Sequence, residues 1–300
     1  MHKKLIVILG PTASGKTSLS LKLAKKLNGE IVSADSRQIY RELDIGTAKP
    51  AKKQLKQVKH YLINIKKPNQ HYTAGQYKRD SIKVINKIIK SGKVPFLVGG
   101  TGLYIKSLAD NLEIPEVKPD RKLRNKLESE IKNKGLKSVY NKLIKLDPEA
   151  AYIIDENNPR RVIRALEIAI KTKKPFSQQR KKGKPLFDIL EIGLNPGEKK
   201  LTKIIDKRVN KMIGAGLLKE VKRLIKKYNK RLRTFDAIGY REMIDLLDKK
   251  ISLKDALKRI KINTWHFAKR QMTWFRKDKN INWIKNQREA EKLIKNFLKK

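Results

Sequence analysis

The chain has no cysteine among its 300 residues, which excludes disulfides and cysteine-ligated zinc. Its four histidines are scattered, so they form no metal-ligand spacing. No apolar run approaches the length of a membrane span. The first one, Leu5 to Leu9, stops at a glycine-containing loop. Met-His-Lys-Lys ahead of it resembles the start of a signal peptide, but the run is too short for a leader and reads as a first strand. These absences lead to the expectation of a cytoplasmic protein in a reducing compartment, without a membrane partner.

Acidic residues are scarce too: 29 Asp and Glu stand against 74 Lys and Arg, a formal net charge of +45. An excess of that size favours a polyanionic partner, nucleic acid first. Lysine greatly outnumbers arginine, and Ile and Asn are plentiful, which is the drift of an AT-rich coding sequence and accounts for about half of the excess. In such a chain each arginine that persists points to a need for the planar, bidentate guanidinium.

What is present suffices for a core, since 39% of the residues are hydrophobic. Short apolar runs at Leu5–Leu9, Glu30–Ser33 and Val94–Val98 alternate with helical patterns, which implies a parallel sheet with crossover helices. From Asp120 to about Ser177 the text is helix-rich and basic, with no strand signal. Leu186 to Leu194 then reads as another buried strand, closed by Asn195-Pro196-Gly197. The expected architecture is an α/β P-loop core of residues 1–119 and 178–300, carrying a helical insertion at 120–177. From Leu201 the chain reads as helical to its end, with breaks near Asn229 and Gly239. No repeat or low-complexity linker appears.

The chemistry starts at GPTASGKT, residues Gly10, Pro11, Thr12, Ala13, Ser14, Gly15, Lys16 and Thr17. It fits G-x-x-x-x-G-K-[ST] and lies between a strand and a helix, as a phosphate-cradling loop requires. The amides from Thr12 to Lys16 would form a nest, Lys16 adds a point charge, and the Thr17 hydroxyl can hold Mg²⁺. An ATPase also needs a strand that ends in a magnesium-holding acid. Here the comparable strand, KVPFLVGGTGLY, ends in Gly99-Gly100. The nearest strand-end acid is Asp35, in VSADSRQIY, where it either caps a helix or serves as a general base facing the loop. The loop thus has its phosphate grip without ATPase equipment, and a small diphosphate would satisfy it equally well. Gly99-Gly100-Thr101-Gly102 allows close ligand approach, and Thr101 supplies a hydroxyl.

GPTASGKT, ADSRQIY, DIGTAKP (Asp44 to Pro50), VGGTGLY, NPRRVIRALE (Asn158 to Glu167), FDAIGYRE and AKRQMTWFR (Ala268 to Arg276) occur in that order. Together they resemble the tRNA dimethylallyltransferases, the IPP transferase family, from Leu5 to roughly Trp283. The resemblance implies transfer of a dimethylallyl group from dimethylallyl diphosphate to N6 of the adenosine 3′ of the tRNA anticodon. It implies Asp35 as the base, Lys16 and Thr101 as further catalytic groups, and the loop as the diphosphate cradle. Arg161 and Arg208 are its candidate diphosphate arginines. Asp35, Ser36, Arg37, Gln38 and Thr101 would meet the extruded base and its neighbours. Pro159, Arg160, Arg161, Val162, Ile163 and Arg164 would meet tRNA from the insert, and Tyr240 and Arg241 from the other side. Mg²⁺ on Thr17 and a monomeric enzyme complete the picture.

Arg160 and Arg164 could equally be a solvated stripe on one helix face. Trp265, Phe267, Trp274 and Phe275 read better as packing than as stacking platforms, while Arg270 and Gln271 stay open. The chain departs from the family where it has His60-Tyr61-Leu62-Ile63-Asn64 for His-His-Leu-Ile-Asp, Asn158 for Asp, and Lys173 for Gly. Three other readings compete: a transferase for free adenine nucleotides, a P-loop small-molecule kinase, and a non-catalytic RNA-binding protein.

Overall fold

A computed structural model describes residues 3–115, 117–179 and 181–299. Its centre is a six-stranded sheet formed by β1 (Lys4–Leu9), β2 (Gly29–Ala34), β3 (His60–Tyr61), β4 (Val94–Gly99), β5 (Asp188–Leu194) and β6 (Asn282–Ile284). The spatial order is β3-β2-β4-β1-β5-β6, and every pairing is parallel. β1 is buried from Leu5 to Leu9 on both faces, which explains its unbroken apolar run. Helices follow the strands as crossovers, with Lys16–Lys26 after β1 and Ala74–Lys90 before β4. Thr73 caps the latter by accepting from the Gln76 amide, and Gln76 returns the bond to the Thr73 amide.

The expected strands are β1, β2, β4 and β5. β3 and β6 are additions at the two edges, and β6 corrects the expectation of an all-helical C-terminal stretch. With three residues it carries too little periodicity to separate from its helical surroundings. It is held by pairing to β5 (Ile192 to Asn282) and by buried Ile281 and Ile284.

The chain divides into two compact units, Met1–Ala109 with Leu186–Lys300, and Asp110–Pro185. In the first unit, helices Glu198–Gly214, Leu217–Lys227, Tyr240–Leu247 and Leu253–Phe275 bury one core. Ile205, Val209, Leu217, Val221, Leu224, Met243, Ile260 and Ala268 meet Ile39, Tyr40 and Leu43 there. The second unit is helical, with Arg121–Lys134, Leu136–Leu146, Ala150–Ile153 and Pro159–Thr172 around Leu127, Val139, Leu143, Ile154 and Leu166. Its two ends are stitched together by Glu113 N–H to Lys181 C=O and Asn111 Nδ2 to Lys184 C=O. Among the described residues, no helix is long and apolar enough to cross a membrane.

Candidate active site

In an all-parallel sheet the C-terminal ends of the strands share one edge, where ligands of such sheets sit. Here β4 lies between β2 and β1. Residue pairing brings Ala34 and Leu9 each opposite Gly99. Asp35, the Gly100-Thr101 turn and the Gly10–Thr17 loop therefore line up side by side. With neighbouring strands about 4.8 Å apart, about 10 Å separates the β2 end from the loop.

The loop is shaped by its backbone. Gly10 has φ +146, and a Cβ there would lie 2.5 Å from the Leu194 carbonyl oxygen, so no side chain fits. Ala13 adopts a left-handed φ of 65, and the Ser14 amide donates back to the Pro11 carbonyl. The helix that follows begins at Gly15 with no side-chain cap and no acid in its first turn. Its first amides are thus left for an anion, with the positive end of the helix dipole behind them.

Lys16 Nζ donates to the carbonyls of Gly10 (2.9 Å) and Pro11 and approaches Ser14 Oγ at 3.4 Å. Burial pulls its ammonium down to about 7, with the Arg208 charge adding to the drop and Asp35 opposing it. Arg208, from helix Glu198–Gly214, donates from Nη1 to Thr12 Oγ1 at 2.9 Å. Desolvation lowers its own pKa, again against Asp35. Both basic groups thus meet at the loop short of water, and the Arg208 charge further disfavours the Lys16 ammonium. A bound anion relieves both effects.

No helix starts near Ser36, where residues 36–39 form a turn, so Asp35 caps that turn and not a helix. Its Oδ1 accepts from the amides of Arg37 (2.8 Å) and Gln38 (3.3 Å), which ties the turn after β2. Its Oδ2 takes no part in that turn. Thr101 Oγ1 accepts from the Ser36 amide at 3.1 Å, and the Thr101 amide donates to the Ala34 carbonyl. The turn after β4 therefore clasps the turn after β2 from both sides of Thr101. Gln38 Nε2 donates to the Thr47 and Ala48 carbonyls of the DIGTAKP loop. Arg37 reaches the Thr234 carbonyl at 3.5 Å.

Several expected tRNA contacts have other employment. Tyr240 is fully buried, with its hydroxyl donating to Glu220 Oε1 at 2.7 Å. Burial and that carboxylate raise its pKa, so it faces the core and leaves exposed Arg241 as the outward group. In the second unit Pro159 opens its helix and Asn158 caps it by accepting from the Arg161 amide, a task Asn performs as well as Asp. Val162 and Ile163 are buried in that unit's core, so their side chains pack rather than face solvent. Arg164 bonds the buried Glu167 (2.6 Å) and the Val117 carbonyl. Desolvation works against the Glu167 carboxylate, yet bonds from Arg124, the Asp120 amide and Arg164 hold it below the usual range. Arg160 and Arg161 are exposed on the first turn of the helix.

On helix Leu253–Phe275, Phe275 is buried and Trp265 is half-buried against the core, as packing requires. Phe267, expected to pack, is 39% exposed. Arg270 is exposed, whereas Gln271 is buried and bonded to both halves of the site: its Oε1 accepts from the Thr12 amide at 2.7 Å, and its Nε2 donates to the Gly100 carbonyl at 2.7 Å. The Thr12 amide is thereby already taken, and the phosphate nest is narrower than the sequence implies. Gln271 stays open in the sequence, and Glu220 was missed. Its carboxylate accepts from the amides of Asp44, Ile45 and Gly46 and holds the DIGTAKP loop under Gln38. A signal for Gln271 exists, because it shares the buried stripe of Ala268, Met272 and Phe275, and a polar residue on such a stripe needs partners.

Among the described residues, no group of three or more His, Cys, Asp or Glu side chains could hold a metal by itself. The half-buried Thr17 hydroxyl, at the first turn of the helix, suits an ion held mainly by a substrate's phosphates, as Mg²⁺ commonly is.

Comparison with known proteins agrees with this geometry. A family model described as IPP transferase matches residues 38–278. The chain is 45% identical to a tRNA dimethylallyltransferase of Acetivibrio thermocellus over 298 residues, covering 97% of this chain and 95% of that one. It is 44% identical to a tRNA dimethylallyltransferase of Halothermothrix orenii, with 99% and 94% covered. Among solved structures, the tRNA isopentenylpyrophosphate transferase of Bacillus halodurans aligns with a TM-score of 0.72 at 38% identity, over 99% of this chain and 95% of that one. A eukaryotic dimethylallyltransferase acting on tRNA aligns with a TM-score of 0.77 at 33% identity, over 91% and 70%. With a family model spanning most of its length and such relatives end to end, the chain belongs to the IPP transferase family.

Proposed function

We propose that the chain transfers the dimethylallyl group of dimethylallyl diphosphate to N6 of the adenosine 3′-adjacent to the anticodon in tRNA. The observation that carries this is the alignment of an anion loop and a strand-end carboxylate on either side of β4, in a chain of this family. β4 ends in Gly99 and is followed by Gly100 and Thr101, not by the magnesium-holding acid of an ATPase. The enzyme acts as a monomer in the cytoplasm, where its tRNA substrate is found.

In the reaction the ester C–O bond breaks and the diphosphate leaves with the electron pair. A bond forms between N6 and the same carbon, and the N6 proton passes to Asp35 Oδ2. The exocyclic amine is a poor nucleophile, so proton removal accompanies bond formation. Lys16, Arg208 and the loop amides meet the charge that gathers on the leaving group. Mg²⁺, held by Thr17 and the diphosphate itself, would add a further positive charge there. Thr101 fixes the Ser36 amide, and with it the turn that aims Asp35.

The adenosine must leave its stack to reach Asp35. Ser36, Arg37 and Gln38 stand beside the carboxylate to receive it. Exposed Arg241 in the first unit, and Arg160 and Arg161 in the second, meet the anticodon stem-loop. The chain's large positive charge is then a phosphate-binding surface, with the steep salt dependence that implies.

A single incubation tests the reading. Purified protein receives Mg²⁺, labelled dimethylallyl diphosphate and, in parallel, unmodified tRNA, free AMP or no acceptor. Label on tRNA alone is expected. Label on AMP instead would make the chain a free-nucleotide transferase, and consumption of ATP with no transfer would make it a kinase or ATPase.

A further inference from the structure

Gln271 lies outside the phosphate loop and the Asp35 turn, yet it touches the site's two halves at once. Its side chain comes from helix Leu253–Phe275, more than 250 residues along the chain from Thr12. It is 8% exposed, and both polar atoms of its carboxamide are used. Oε1 fixes the amide of Thr12, whose hydroxyl holds Arg208 on the diphosphate side. Nε2 fixes the carbonyl of Gly100, the residue before Thr101, which in turn holds Ser36 on the acceptor side. The result is a chain of bonds from Arg208 through Thr12, Gln271, Gly100, Thr101 and Ser36 to the Asp35 turn. The sheet already pairs Leu9 and Ala34 with Gly99, and beyond its last rung this carboxamide ties the turn after β4 to the loop after β1. Gly100 carries no side chain, and a Cβ there would lie 2.3 Å from Gln271 Nε2. The amide sits where a side chain on Gly100 would stand.

We propose that Gln271 is a positioning residue. Its carboxamide clamps the Thr12 amide to the Gly100 carbonyl and so sets the separation between the departing diphosphate and the base that accepts the N6 proton. This rests on the prenyl-transfer reading above. In-line displacement needs the attacking nitrogen, the reacting carbon and the leaving oxygen held in one geometry, and a displacement of about 1 Å can cost on the order of a hundredfold in rate. The clamp touches neither substrate, so its loss slows the chemical step without weakening either binding event.

Gln271→Met keeps the length of the side chain and removes both bonds. In single-turnover transfer to tRNA, its rate is expected to fall about 10- to 100-fold, while KM for tRNA and for dimethylallyl diphosphate stays within about threefold of the wild type. If the buried amide and carbonyl left unpaired in Gln271→Met spoil folding, as thermal melting would reveal, the same readout passes to Gln271→Asn. That variant stays polar but is one methylene too short to bridge. A cycle makes the test specific. Gly100→Ala pushes the carboxamide away through the 2.3 Å contact, so its rate loss and that of Gln271→Ala arise from one broken clamp. The double variant is expected to be no slower than the slower single one. Losses that multiply, a Gln271→Met rate within threefold of the wild type, or a loss confined to KM would each overturn the positioning role alone. Absence of transfer by the wild-type protein in the same assay would overturn the prenylation reading and this inference with it.

Discussion

Binding of the diphosphate ester should draw a proton into the loop, and the structure sets the amount. In the ligand-free protein Lys16 titrates at about 7, because burial and the Arg208 charge outweigh Asp35. Near pH 8 only about one Lys16 in ten is then protonated. A diphosphate in the loop replaces lost water with negative charge and returns the ammonium to its usual range, well above 8. Uptake should therefore be about 0.9 proton per site near pH 8. Affinity should weaken by close to tenfold per pH unit above about 7. Calorimetric titration with dimethylallyl diphosphate, without tRNA, in buffers of different ionisation enthalpy yields the proton count directly. The measurement belongs above about pH 7.5, where the ester's own phosphate ionises little further. Uptake below about 0.2 proton near pH 8 would refute the reasoning, since it would mean that Lys16 stays charged among the loop carbonyls. The same depression has a stability consequence. Between about 7 and the ordinary lysine value of 10.5 the unfolded chain holds a proton that the native chain lacks, so this group makes the fold more stable as pH rises through that window.

Arg208→Met removes the bond to Thr12 Oγ1 and should weaken diphosphate binding by about 10- to 100-fold, the worth of a charged hydrogen bond. It should also shrink the proton uptake near pH 8, because Lys16 loses its cationic neighbour. Glu220→Ala leaves the amides of Asp44, Ile45 and Gly46 and the Tyr240 hydroxyl without their acceptor, and urea denaturation should show a loss of about 3 kcal/mol. Lys173→Gly should do the opposite. Lys173 ends helix Pro159–Thr172 in the left-handed region at φ 53, so glycine should add about 1 kcal/mol of stability by the same assay.

Much of the site was legible because its parts are local. The phosphate loop is one continuous segment, and its glycines answer to backbone constraints such as the closed space at Gly10. Asp35 and Thr101 each follow a strand whose apolar run marks where it ends. The parallel sheet then places them beside the loop with no further information needed. What escaped is what depends on tertiary contact. Glu220, and Gln271 whose part the sequence left open, are ordinary polar residues in helices until the fold brings them to carbonyls and amides far away in sequence. Tyr240, Val162 and Ile163 stand within motifs rich in exposed residues, but the face of the helix decides their burial. Lys173 looked like a departure from a pattern, and its left-handed backbone shows why glycine suits that position. β3 and β6 exist because an edge of the sheet was open to pairing, and two or three residues sufficed.

The most direct test of the account is Asp35→Asn in single-turnover transfer, with tRNA binding measured beside it. The substitution keeps an oxygen for the Arg37 and Gln38 amides and removes only the ability to take a proton. A rate loss of at least about a thousandfold with tRNA affinity unchanged is the predicted result, within the range a general base contributes. Transfer at the wild-type rate would contradict the assignment of Asp35 as the base and, with it, the division of the site into a diphosphate side and an acceptor side.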